Sequence, residues 1–316
     1  MKYYIEFPIP IRCSLKCVYC FHSEAFDLEK EGRFNDKYLD QRPFTLQQYI
    51  DWRNKHLSNG TEFLCELHGG EMSHPKNQDD VLNIVDTFDK EIFQLQTNGL
   101  GDGEFYRELC KRKAKINRIG FTFHREMIAD KPEIVKKYID NVMLCNSFGI
   151  KVYVKELLIK KMRDQILENK KFWIEKGIEF RIQDFKGYGR GKTFEEYQNY
   201  TNLDKMLISS EYKHKGTQCS CRSGYKNVLI RGFDIFAGDV ICCWDDPCVV
   251  GNIMEDWYLP DYRIVKDFSK GHIDVQGIEK IYRGSYPRDT WSPENEKMYP
   301  NLTRKDFNRN NKNMLT

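Results

Sequence analysis

Residues 12–24 read RCSLKCVYCFHSE. The stretch sets Cys13, Cys17 and Cys20 in a C-x3-C-x2-C spacing, with His22 close behind, and its reading decides the fold. Three sulfurs on one short loop can wrap one metal centre. A structural zinc wants four ligands in a tetrahedron, and His22 could be the fourth. An iron–sulfur cube usually takes four thiolates; with three, one iron keeps an open position where a small chelating ligand can bind. Three unrelated core thiols are the plain alternative, and the tight spacing argues against it.

Outward from this loop, apolar runs of strand length recur with helical segments between them. Six candidate strands lie at 2–10, 61–71, 91–99, 116–124, 151–159 and 178–187. Helical patterns follow at TLQQYIDWRNKHLS (45–58), DDVLNIVDTFDK (79–90), GEFYRELCKRK (103–113), PEIVKKYIDNVMLCNSFG (132–149) and ILENKKFWIEKG (166–177). The first opens on a Thr45 cap, and two end at a glycine. Strands alternating with helices imply a parallel sheet with crossover helices. The expected fold class is therefore α/β, either an open doubly wound sheet or an incomplete β/α barrel. After Gly191 the pattern changes. A polar stretch leads to a second cysteine group between 219 and 248, around an expected hairpin at 226–243, and the tail from 286 is polar. The expected organisation is a domain over 1–190, a cysteine-rich region over 191–285 and a tail over 286–316.

The 316 residues carry a net charge of only +3, with 40% hydrophobic and 31% charged residues. That balance belongs to a globular chain, and it does not argue for a nucleic-acid partner. The start lacks a signal-peptide pattern. No apolar run approaches the length that crosses a bilayer, so no membrane partner and a cytoplasmic location are expected. Eleven cysteines in a reducing compartment point to metal or redox chemistry rather than a disulfide framework.

CSLKCVYC, with Tyr19 at the aromatic position, resembles the C-x3-C-x-aromatic-C motif of the radical S-adenosylmethionine (radical SAM) superfamily, which follows the first strand of a partial β/α barrel. HGGE (68–71) ends the second strand, where that family carries Gly-Gly-Glu, and TNGL (97–100) ends the third. The resemblance covers about residues 2–190 and implies a partial (β/α)6 barrel. It implies that Cys13, Cys17 and Cys20 ligate a [4Fe–4S] cluster whose open iron is chelated by S-adenosylmethionine (SAM). Gly69 and Gly70 would let backbone approach the methionyl amino group, Glu71 would bond that ammonium, Thr97 and Asn98 would belong to the same cofactor site, and Tyr19 would pack near the adenine. A plain strand-to-loop turn is the alternative for the glycines, and a core aromatic for Tyr19.

The fourth strand departs from the family. A Ser-x-Asp pattern is common there, whereas this chain reads FTFHRE, so Thr122 can replace the serine but His124 is no aspartate. His124 and Glu126 become candidates to face substrate, against a satisfied polar residue at a strand end. Lys155, Gln183 and Asp184 are polar residues in apolar runs, which could meet the SAM carboxylate or the substrate, or simply solvent.

The second group, Cys219, Cys221, Cys242, Cys243 and Cys248 with GNI at 251–253, resembles the first part of the SPASM/twitch extension found in a branch of the same superfamily. It implies a second, auxiliary [4Fe–4S] cluster on Cys219, Cys221, Cys248 and one of Cys242 and Cys243, against a structural zinc. Cys65, Cys110 and Cys145 read as inert core thiols. The implied function is reductive SAM cleavage to a 5′-deoxyadenosyl radical, which takes hydrogen from a substrate C–H. The substrate expected first is a peptide or protein side chain, with a nucleotide or small metabolite as the alternative and a non-catalytic zinc or cluster module as a reading of another class. A flavodoxin or ferredoxin would supply the electron. With the first strand at the chain start, no separate peptide-recognition domain is expected before Cys13.

Overall fold

The computed structural model describes residues 2–17, 19–20, 44–57, 62–183, 206–209, 219–220, 227–230, 238–241, 249–258, 264–267 and 272–275. In chain order the elements are β1 (Lys2–Ile9), α1 (Leu46–His56), β2 (Glu62–Gly69), α2 (Gln78–Thr87), β3 (Glu91–Thr97), α3 (Gly103–Lys111), β4 (Ile116–Thr122), α4 (Arg125–Ile128), α5 (Pro132–Ser147), β5 (Val152–Leu157), α6 (Arg163–Glu175) and β6 (Glu179–Gln183). Short strands follow: β7 (Cys219–Ser220), β8 (Asn227–Ile230), β9 (Asp239–Ile241), β10 (Val249–Asn252), β11 (Trp257–Tyr258), β12 (Ile264–Asp267) and β13 (His272–Val275). All six strands expected before residue 190 are present, and the five long helices lie where the 3.6-residue pattern put them. The four-residue α4 was not foreseen; it is too short to display a period. Among the described residues no helix is long and apolar enough to cross a membrane.

The chain forms two compact units, one of Ile9–Gln41 and Cys65–Lys215, the other of Met1–Pro8, Arg42–Leu64 and Gly216–Thr316. In the first, the strands lie in the order β2-β3-β4-β5-β6, and β3 to β6 pair in parallel. Parallel strands need crossovers, and each helix that makes one turns an apolar stripe inward. Val81, Ile84 and Val85 are buried on α2, Phe105, Tyr106, Leu109 and Cys110 on α3, and Tyr138, Asn141, Val142 and Cys145 on α5. The α3 start is fixed by Asp102, whose carboxylate accepts from the Glu104 N–H at 3.0 Å, and α5 starts on Pro132, where a missing N–H costs nothing.

In the second unit β1 pairs in parallel with β8, Ile5 opposite Val228, which is why the first residues group with segments beyond 215. The hairpin expected at 226–243 is there as an antiparallel pair, Leu229 opposite Ile241, and β9 continues antiparallel to β10. The buried Asn252 amide donates to Asp239 at 2.8 Å across that pair. α1 carries a full capping box between Thr45 and Gln48, and its Tyr49 ring packs on Phe7. Strands β13-β12-β7 form a small separate sheet.

Candidate active site

Each parallel strand of the first unit ends on the same edge, and the residues just past those ends enclose a cavity of about 280 Å³. The loop after β1 supplies Cys13, Cys17, Tyr19 and Cys20. β2 supplies Gly69, Gly70 and Glu71, β3 supplies Asn98, β4 supplies Thr122 and His124, β5 supplies Lys155, and β6 supplies Gln183. Ile11, Leu15 and Leu157 complete the wall with apolar surface. Strand ends on one face are where an α/β fold builds its sites.

Glu71 is the electrostatic centre of this edge. It is buried, and its Oε1 accepts from the Ser73 N–H at 2.9 Å, the Ser73 hydroxyl at 2.8 Å and the Thr97 hydroxyl at 2.5 Å. Its Oε2 accepts from the Asn98 N–H at 2.6 Å. Thr97 lies behind the wall, bonded also to the Tyr106 hydroxyl at 2.9 Å. Every one of these partners is neutral. Burial raises the carboxyl pKa against the opposing pull of the hydrogen bonds, and no cation stands among these hydrogen-bond partners. A ligand ammonium would supply the missing charge.

The two glycines answer a different need from the one the sequence suggests. A methyl group on Gly70 would lie 2.1 Å from the Pro10 carbonyl oxygen and 2.4 Å from the Arg12 nitrogen; one on Gly69 would lie 2.5 Å from the Ile9 oxygen. Their empty side-chain positions are filled by backbone of the cysteine loop. The loop is fastened there by the Glu71 N–H donating to the Arg12 carbonyl at 2.6 Å and by the Asn77 amide donating to the Pro10 and Glu71 carbonyls at 3.1 and 2.9 Å.

The thiols differ in their surroundings. The Leu15 N–H and the Asn98 amide point at Cys13 Sγ, at 3.4 and 3.7 Å. Cys17 Sγ lies 3.5 Å from His124 Nδ1. Burial pushes both the Cys13 and Cys17 thiols up to about 12, so neither ionises at neutral pH without a compensating cation. A metal cluster meets that need. Among the described residues no three His, Cys, Asp or Glu side chains converge to hold a single metal ion. Three thiols on one loop are a donor set that fits an iron–sulfur cluster.

Tyr19 lies on the cavity wall. Its ring packs on Ile159 with Leu157 and Met162, and its hydroxyl reaches the cavity, 3.2 Å from His124 Nδ1. Burial, with the charge of nearby Lys155 behind it, lowers the His124 pKa to about 4, so the ring is neutral at pH 7. Glu126 sits on α4, paired with Lys161 at 3.3 Å, and is not part of the wall. Asp184, His22, Cys221, Cys242, Cys243 and Cys248 lie outside the described residues, and Cys219 falls on β7.

Four supporting residues escaped sequence reading: Ser73, Asn77, Tyr106 and Asn141. Only Asn141 left a signal, as a polar residue inside the buried stripe of α5. Its amide donates to the Gly99 and Gly101 carbonyls at 2.9 and 3.0 Å and so fixes the loop that carries Asn98.

No protein-family model matches the chain, and no curated protein matches it. Solved structures do. The chain is similar to a polyhistidine-tagged anSMEcpe with bound AdoMet, at TM-score 0.53 and 17% identity over 80% of this chain and 75% of that one. It is similar to native anSMEcpe with bound AdoMet and Cp18Cys peptide, at TM-score 0.52 and 16% identity over 81% and 79% of the two chains. The complex with Kp18Cys peptide gives 0.51 and 17% over the same shares. At such identities the likeness establishes the fold: α/β, with the mostly parallel sheet of a partial barrel.

Proposed function

We propose that this chain is a radical SAM enzyme. The observation that carries the reading is the convergence of Cys13, Cys17 and Cys20 with Gly69-Gly70-Glu71 and Asn98 on one cavity, in a fold shared with structures that bind AdoMet. Cys13, Cys17 and Cys20 would hold the [4Fe–4S] cluster, and Glu71 would receive the ammonium of SAM. The chemistry supplied by cluster and SAM when bound is reductive cleavage to a 5′-deoxyadenosyl radical, which takes hydrogen from a substrate C–H.

The chain's own residues shape that event. Glu71 is held rigid by four donors, so its oxygens are positioned before a ligand arrives. Lys155, Gln183 and Thr122 offer one cation and neutral polar groups for a carboxylate and hydroxyls. Ile11, Leu15 and Leu157 keep water from the reactive centre, where competing hydrogen donors must be excluded. A cytoplasmic flavodoxin or ferredoxin would deliver the electron.

The substrate favoured is a peptide or protein side chain, because two of the similar structures hold a bound peptide. The second reading is a small metabolite or nucleotide, for which Lys155 in the wall would be the anion contact. Anaerobic incubation with SAM and dithionite, beside peptides encoded by neighbouring genes and, separately, nucleotides and small metabolites, separates them by mass spectrometry. A mass change in a peptide is expected; change confined to a small molecule would favour the second reading.

Residues 191–285 are assigned an auxiliary [4Fe–4S] cluster of SPASM/twitch type on Cys219, Cys221, Cys248 and one of Cys242 and Cys243, with 286–316 as a tail. What supports this is the spacing of these cysteines in the sequence on either side of the β8–β9 hairpin, in which Leu229 lies opposite Ile241. Iron and sulfide analysis should find two clusters in the wild-type chain and one after Cys13, Cys17 and Cys20 are all changed to Ala. Zinc, or no metal, in that variant would remove the auxiliary cluster.

A further inference from the structure

One contact on the cavity wall is not explained by holding SAM. Cys17, Tyr19 and His124 form a triangle around one nitrogen: Tyr19 Oη to His124 Nδ1 is 3.2 Å and His124 Nδ1 to Cys17 Sγ is 3.5 Å. The two rings lie nearly parallel, 19° apart with centroids at 6.2 Å, and Tyr19 packs on Ile159.

A free thiol in this triangle can donate. A thiolate bound to iron can only accept. Once Cys17 is a ligand, the hydrogen available to its sulfur in this group is an N–H at His124 Nδ1, which has Tyr19 Oη beside it. Cys13 has the same kind of company in the Leu15 N–H and the Asn98 amide. Hydrogen bonds to ligand sulfur stabilise the more negative, reduced state of a cluster more than the oxidised state, and so raise its reduction potential.

We infer that His124 is a hydrogen-bond donor to the Cys17 thiolate, held in place by the Tyr19 hydroxyl at the same nitrogen, and that the two set the reduction potential of the cluster rather than contact substrate. This rests on the reading of the three thiols as cluster ligands. It gives a role to the histidine that stands where the resemblance would put an aspartate, and it accounts for a tyrosine hydroxyl that adenine packing alone does not need. It also requires the tautomer of His124 that carries hydrogen on Nδ1.

The test is a redox titration of the reconstituted chain without SAM, followed by electron paramagnetic resonance. Iron and sulfide content is measured first. Tyr19→Phe, which removes one oxygen, and His124→Leu should each retain the cluster and shift its midpoint to a more negative value. His124→Asn places an amide nitrogen where Nδ1 stood and should restore the wild-type midpoint, whereas His124→Gln, with its nitrogen one atom further out, should not. Equal midpoints in wild type, Tyr19→Phe and His124→Leu, with the cluster intact in all three, would overturn the inference while leaving the functional reading standing. A wild-type chain that assembles no cluster on Cys13, Cys17 and Cys20 would remove both.

Discussion

Gly70→Val is expected to cost the protein its cysteine loop as well as the SAM binding proposed for it. The Cβ alone would meet three backbone atoms, the Pro10 oxygen at 2.1 Å and the Arg12 nitrogen and oxygen at 2.4 and 2.7 Å. None is the movable tip of a side chain. The hydrogen bonds from Glu71 to Arg12 and from Asn77 to Pro10 fasten the same few residues, and they break if the loop steps back. Overpacking costs about 1–3 kcal/mol and each lost hydrogen bond about 1 kcal/mol, so a loss of about 3 kcal/mol in denaturant unfolding is expected. Because Cys13 follows directly, the variant should also lose iron–sulfur absorbance and SAM binding together. Normal cluster content with blocked SAM binding would mean that the glycines serve the ligand alone.

Changing Cys13, Cys17 and Cys20 together to Ala should take 5′-deoxyadenosine formation down to the level of a protein-free control. The expected structural cost is small. Cys13 and Cys20 are only half-buried and Cys17 is buried, and removal of one small group costs roughly 0.8 kcal/mol of burial. Circular dichroism and the unfolding midpoint should therefore stay near wild type. If the folded triple variant still cleaves SAM, the loop has been misassigned.

These two expectations show what could be read before any coordinates. The six strands were legible because parallel strands buried on both faces leave short runs of Val, Ile, Phe and Tyr, and the helices between them keep a 3.6-residue stripe. α1 was fixed at its start by Thr45, whose side chain accepts from the Gln48 N–H. The cysteine loop and HGGE were legible as adjacent parts of one site because spacing and strand-end position are local properties.

What stayed hidden depends on distance. That Gly70 lies against Pro10 and Arg12 cannot be seen from a glycine pair, which fits a turn, a ligand contact and a close backbone crossing equally well. The cage around Glu71 draws Ser73, Thr97 and Asn98 from two strand ends, and a serine two residues after a glutamate carries no pattern. His124 and Glu126 looked alike on the sequence; the structure turns the first to the cavity and the second to Lys161, because α4 begins between them.

One cavity carries the three-thiol loop beside Gly69, Gly70, Glu71 and Asn98, the residues proposed to bind SAM. The most direct measurement is made on the wild-type chain, reconstituted anaerobically with iron and sulfide and incubated with SAM and dithionite. The account predicts 5′-deoxyadenosine and methionine in equal amounts, appearing only when cluster, SAM and reductant are all present. A fully reconstituted protein that leaves SAM intact and does not bind it would contradict the account.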